Sequence, residues 1–123
     1  MRNFEVLRVW QEARVLVNDI YKMISNCKDY GFWDQIQRAA VSIMNNIAEG
    51  SESGSDALFI RYLKIAKASC GEVRSMLFLC EDLQYCSADS SEILRNKTIL
   101  ISSSIQKLIE YLNKSNNKSG PKS

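Results

Sequence analysis

Gln35–Gly50, QIQRAAVSIMNNIAEG, is the stretch whose reading decides the fold. At about 100° per residue, Ile36, Ala40, Ile43 and Ile47 stack on one side of a helix. Gln35, Arg38, Ser42, Asn46 and Glu49 fall on a narrow adjacent stripe, and beyond it Val41, Met44 and Ala48 form a second apolar surface. A lone surface helix carries one apolar stripe and one broad polar face. Two apolar faces and a thin polar seam predict a helix that packs both in its own bundle and against a further surface.

The same periodicity extends outward in both directions. Upstream, Val6, Trp10, Ala13, Val17, Ile20 and Ile24 align. Downstream, Phe59, Leu63, Ala66, Cys70, Val73, Leu77 and Cys80 align, followed by Leu94, Thr98, Ile101, Ile105, Leu108 and Leu112. Sustained 4-3 spacing keeps helices in contact along their length at shallow crossing angles. The reading is therefore all-α: an antiparallel up-down-up-down four-helix bundle in a single domain. Its helices fall at about 4–27, 34–49, 55–84 and 90–113, ahead of a flexible polar tail, Lys114–Ser123. Asp34 is placed to cap the second helix, Ser55 or Asp56 the third, and Asp89 with Glu92 fits a capping box for the fourth. The third helix adds a flanking stripe of Leu58, Tyr62, Ile65, Met76, Leu79 and Leu83. Its small residues Ala66, Ala68, Ser69, Cys70 and Gly71 suggest close packing, which a bulky residue at Gly71 is expected to disturb.

Composition narrows the function. The 123 residues carry a net charge of +2, too balanced to advertise nucleic-acid binding by itself. No run is long and apolar enough to span a membrane, and the N-terminus lacks the apolar block of a signal peptide. Cys27, Cys70, Cys80 and Cys86 form no C-x-x-C pair, which together points to a reduced cytoplasm. Histidine is absent, removing the commonest general base and metal ligand. There is no Glu-x-x-His for a di-iron centre, and GSESG (Gly50–Gly54) lacks the lysine of a phosphate-binding loop. The expectation is no enzyme, no cofactor and no metal.

Two constellations remain. Arg38, Ser42, Asn46 and Glu49, with Gln35 and the apolar Val41, Met44 and Ala48, read first as a structural or oligomer seam, since a buried polar layer fixes register. A ligand or RNA contact is the second reading. Arg61, Lys64, Lys67 and Arg74 share about 140° of the third helix. They form an ordinary solvated face in a monomer, but a phosphate-contacting surface when repeated around a symmetric assembly. Lys114, Lys118 and Lys122 serve solubility or transient RNA docking. Of the two tryptophans, Trp10 reads as core, and Trp33 as the more exposed aromatic, able to stack a base.

QIQRAAVSIMNNIAEG, with FEVLRVWQEARVLVNDIY (Phe4–Tyr21) before it and FIRYLKIAKASCGEVRSML (Phe59–Leu77) after it, resembles the four-helix-bundle proteins named for 23S ribosomal RNA intervening sequences. Relatives of that family include accessory variability determinants of diversity-generating retroelements. Met44 stands where such proteins usually carry proline, Ala68 where glycine is common, and SESGSDA (Ser51–Ala57) lacks an arginine often found there. The resemblance implies the four-helix fold, a ring-shaped homo-oligomer with a pentamer as leading state, and no catalytic motif. It implies an RNA-associated accessory module or, alternatively, a protein–protein adaptor such as the partner of a reverse transcriptase.

Overall fold

A computed structural model describes residues 3–119, with the backbone alone over 116–119. A 3₁₀ turn, Phe4–Val6, leads into α1 (Arg8–Met23), α2 (Tyr30–Ser51), α3 (Asp56–Asp82) and α4 (Ala88–Ser119). There is no strand among the described residues. Each helix packs on its chain neighbours, and α4 closes back on α1, while among the described residues the diagonal pairs have no close backbone approach. The side-chain links fix alternating directions. Between α2 and α3, Ser42 meets Ser69 and Gly50 lies against Phe59. Between α3 and α4, Lys67 meets Gln106 and Arg95 meets Glu81. In each pair the residue numbers run oppositely, which is the signature of antiparallel neighbours.

The expected stripes form the core. Ile36, Ala40, Ile43 and Ile47 are fully buried, as are Phe59, Leu63, Ala66, Cys70, Val73, Leu77 and Cys80 on α3. Thr98 and Ile105 line up with Leu94, Ile101 and Leu112 from α4. Val6 departs from its stripe and is 73% exposed. Leu7, in extended conformation (φ −73°, ψ 122°), takes the residues before it out of the register of α1.

Helix ends were the less legible part. Asp29, not Asp34, caps α2: its Oδ1 accepts from the Phe32 amide at 3.2 Å, so the helix takes in Gly31. Asp34 instead lies a full turn inside and accepts from Arg38 at 2.8 Å. Ser55 caps α3 through Leu58 N–H. Ser87, not Asp89, caps α4, its Oγ accepting from the Ser90 amide at 3.1 Å. No glycine or proline interrupts residues 88–119, and the α4 backbone continues through 114–119, where a flexible tail was the expectation. Lys118 thus lies on α4, and Lys122 falls outside the described residues.

The end of α3 shows why a boundary can be chemically specified without glycine. Gln84 adopts φ +60°, the Gln84 amide donates to Glu81 O at 3.0 Å, and the Tyr85 amide donates to Cys80 O at 2.9 Å. This is the paired 5→2 and 6→1 bonding of a Schellman cap, whose left-handed residue is usually glycine. Gln84→Gly is expected to stabilise the fold by about 0.5–1 kcal/mol by relieving the Cβ clash of the left-handed region. The check is a higher urea midpoint at unchanged slope; a lower midpoint contradicts it.

Candidate nucleic-acid interface

The polar seam of α2 divides in two. Ser42 and Ser69 share a hydrogen bond at 2.9 Å across α2 and α3. Asn46 Nδ2 donates to Ser42 O at 2.8 Å and to Ser42 Oγ at 3.0 Å. These groups satisfy one another within one chain, as half-buried polar atoms must. Gln35, Arg38 and Glu49 lie outside this network and are exposed. The Arg38 side chain is 79% exposed and bonds Asp34 one turn earlier, an i,i+4 surface pair worth only about 0.3–0.5 kcal/mol. Arg38 is therefore not joined to Ser42.

On the opposite flank of α2, Val41, Met44 and Ala48 are half-buried within a single protomer. Val41 and Met44 pack against the core, and Trp33 on the same flank meets Tyr21 of α1 edge-on at 6.2 Å. Intramolecular packing thus accounts for much of the second apolar surface, and Trp33 is part of it rather than an exposed turn aromatic. More openly solvated apolar area lies on other helices. Leu58 and Ile65 near the start of α3 and Leu79 and Leu83 near its end share one face with the exposed Glu72 between them, and Ile93, Leu100 and Tyr111 line one stripe of α4.

The basic positions converge more tightly than their own helix suggests. Lys64, Lys67 and Arg74 turn toward α4 and, with Gly71, Ser102, Ser103, Gln106 and Ile99, line two adjoining shallow depressions of about 470 and 530 Å³. None of these lining residues is acidic. Lys67 Nζ donates to Gln106 Oε1 at 2.8 Å, and Gln106 Nε2 donates to Glu110 Oε2 at 3.2 Å, so the ammonium is held over the groove. A Cβ added at Gly71 would meet nothing within 4 Å. The glycine leaves the groove floor open and is not a site of close helix packing, contrary to the expectation from its small neighbours. Arg61 is exposed and does not line the groove. An open, cation-lined trough with hydroxyl and amide donors suits phosphate oxygens, which accept from such groups without reading sequence.

Sequence periodicity could not find the α4 side of this groove. Ser102, Ser103 and Gln106 carry no charge pattern, and only the pairing of α3 with α4 brings them to the lysines.

Other polar features are structural. Tyr85 OH donates to Asp29 Oδ2 at 2.7 Å, tying the α3–α4 connection to the α1–α2 connection. That bond, then the Phe32 amide, lowers the Asp29 pKa, and the same bond raises Tyr85 to about 12. Burial raises the Cys70 thiol to about 12 against the opposing effect of Arg74, and burial raises Cys80 as well. Such thiols are poor nucleophiles. All four cysteines are free. Among the described residues, no group of three or more potential ligands is placed to hold a metal, and no helix is long and apolar enough to cross a membrane.

The model of the family described as 23S rRNA-intervening sequence protein matches residues 5–107. The chain belongs to this family. A crystal structure of a protein of unknown function from the S23 ribosomal protein family of Bacteroides thetaiotaomicron VPI-5482 is similar, with 28% identity and a TM-score of 0.76. The alignment covers 82% of this chain and 97% of that one. No curated protein matches the chain. Membership of the 23S rRNA-intervening sequence protein family accounts for the bundle and for the resemblance carried by α2, and it assigns no reaction.

Proposed function

We propose that this 23S rRNA-intervening sequence family protein is a non-enzymatic, cytoplasmic accessory module that self-assembles, as a ring-shaped pentamer, and associates with RNA through the α3–α4 groove. The observation that carries the RNA reading is the groove itself: Lys64, Lys67 and Arg74 on a trough without an acidic lining residue. One such trough is a modest charge; a ring repeats it and concentrates the field. The exposed Leu58 and Ile65 near the start of α3 and Leu79 and Leu83 near its end support self-association, because covering them between copies removes apolar side chains from water.

The same exposed α3 residues and the α4 stripe of Ile93, Leu100 and Tyr111 favour a second reading, an adaptor for a protein such as a reverse transcriptase without direct nucleic-acid contact. Sedimentation velocity at micromolar concentration, run with and without a labelled structured RNA, separates the readings. The expected result is a single assembled species that carries the RNA with it at low salt and releases it as salt rises. A clean monomer contradicts the assembly, and an assembly that never carries RNA leaves the adaptor reading.

A further inference from the structure

We infer that the groove takes single-stranded RNA rather than duplex, with an unpaired base stacked on Phe78; this rests on the RNA reading above. One turn beyond Arg74 along α3, on the same side of the helix as the groove cations, Phe78 is 50% exposed. Arg95 of α4 lies over it, its guanidinium carbon 4.1 Å from the ring centroid. Arg95 is itself anchored: its Nε donates to Ser91 Oγ at 3.1 Å, and it pairs with Glu81 at 3.5 Å. The aromatic platform is thus held in place by Arg95 on one face while half of the residue's surface remains solvent-exposed.

Ile99, one turn after Arg95, lines the groove beside Arg74, so platform and groove form one continuous track. From Lys64 to Phe78 the track spans about 21 Å at the rise of an α-helix. Beyond it, Glu81 and the exposed Asp82 end the run of cations. A phosphate-tracking basic groove with an aromatic at its end is the design of single-strand binders, whose smallest sites take about four nucleotides. A duplex hides its base faces in its own stack and offers only backbone and groove edges, leaving Phe78 unused. The groove also lies between helices whose axes stand about 8–10 Å apart, so a duplex would ride over its rims.

Fluorescence anisotropy with the full chain tests this, using an oligouridylate and a blunt RNA duplex of equal length. The wild type is expected to bind the oligouridylate more tightly. Phe78→Ala is expected to weaken the single strand by about 5- to 150-fold and leave the duplex unchanged, the loss of one stacked base. Phe78→Leu keeps the apolar bulk without the π face and is expected to show the same strand-specific loss, while Phe78→Trp retains binding. Unchanged melting of each variant checks the fold. Duplex binding at least as tight as the single strand, or equal losses for both RNAs, overturns the inference and leaves the RNA reading standing. Failure of the wild type to bind either RNA overturns both.

Discussion

Gly50→Leu is expected to lower the unfolding free energy by about 2–3 kcal/mol, the upper part of the range for overpacking. Gly50 is buried in the last turn of α2, where the chain runs hard against α3. A Cβ there would lie 2.8 Å from Phe59 Cδ1, 2.8 Å from Tyr62 Cβ and 3.3 Å from the Phe59 carbonyl oxygen. Phe59 is fully buried and cannot swing away. The Tyr62 atom is a Cβ and the third contact is backbone, so the helices themselves must part. Gly71→Leu is the matched control. It adds the same side chain to a helix of the same bundle, but into open space, and removing a mid-helix glycine is expected to gain up to about 1 kcal/mol. Urea unfolding at one fixed protein concentration compares the two, since assembly makes stability concentration-dependent. Equal effects from the two substitutions would show that the α2–α3 approach at Gly50 is not what sets the packing.

This pair of glycines also shows where sequence reading reached its limit. The stripes of α2, α3 and α4 were legible because a 3.6-residue period records which face is buried, whatever covers it. Ile36 through Ile47 and Phe59 through Cys80 needed no knowledge of their partners. Gly71 was misread because small neighbours on one helix say nothing about whether another helix lies opposite. Gly50 looked like a helix end, yet its lack of a side chain serves packing. Ends were similarly ambiguous: Asp29 and Asp34 are both acceptable caps by type, and only the backbone decides which amide each one faces. Half of the groove was visible as Lys64, Lys67 and Arg74. Ser102, Gln106, Arg95 and Phe78 were not, because their role comes from the α3–α4 register and from no pattern of their own.

The second large effect is expected from removing the groove's charge. Lys64→Ala, Lys67→Ala and Arg74→Ala combined should abolish most of the salt-sensitive affinity for RNA. Each phosphate contact contributes about 0.7–0.9 to the slope of log affinity against log salt. Three contacts per protomer therefore account for about a 20- to 40-fold change in affinity between about 50 and about 200 mM salt, and more where several protomers engage one RNA. Lys64 is exposed and Lys67 and Arg74 are half-buried at the groove. None of the three belongs to the buried core, so the variant is expected to fold, which an unchanged melting transition and sedimentation profile check. Removing the Lys67 ammonium also frees Gln106, which keeps its bond to Glu110.

The most direct test is filter binding of a structured RNA across that salt range, with parent and triple variant side by side. The variant's slope is expected to be lower by about two to three per protomer engaged, with weaker affinity at every salt concentration. A variant that keeps the parent's slope and affinity would contradict it and move the RNA contact away from the α3–α4 groove.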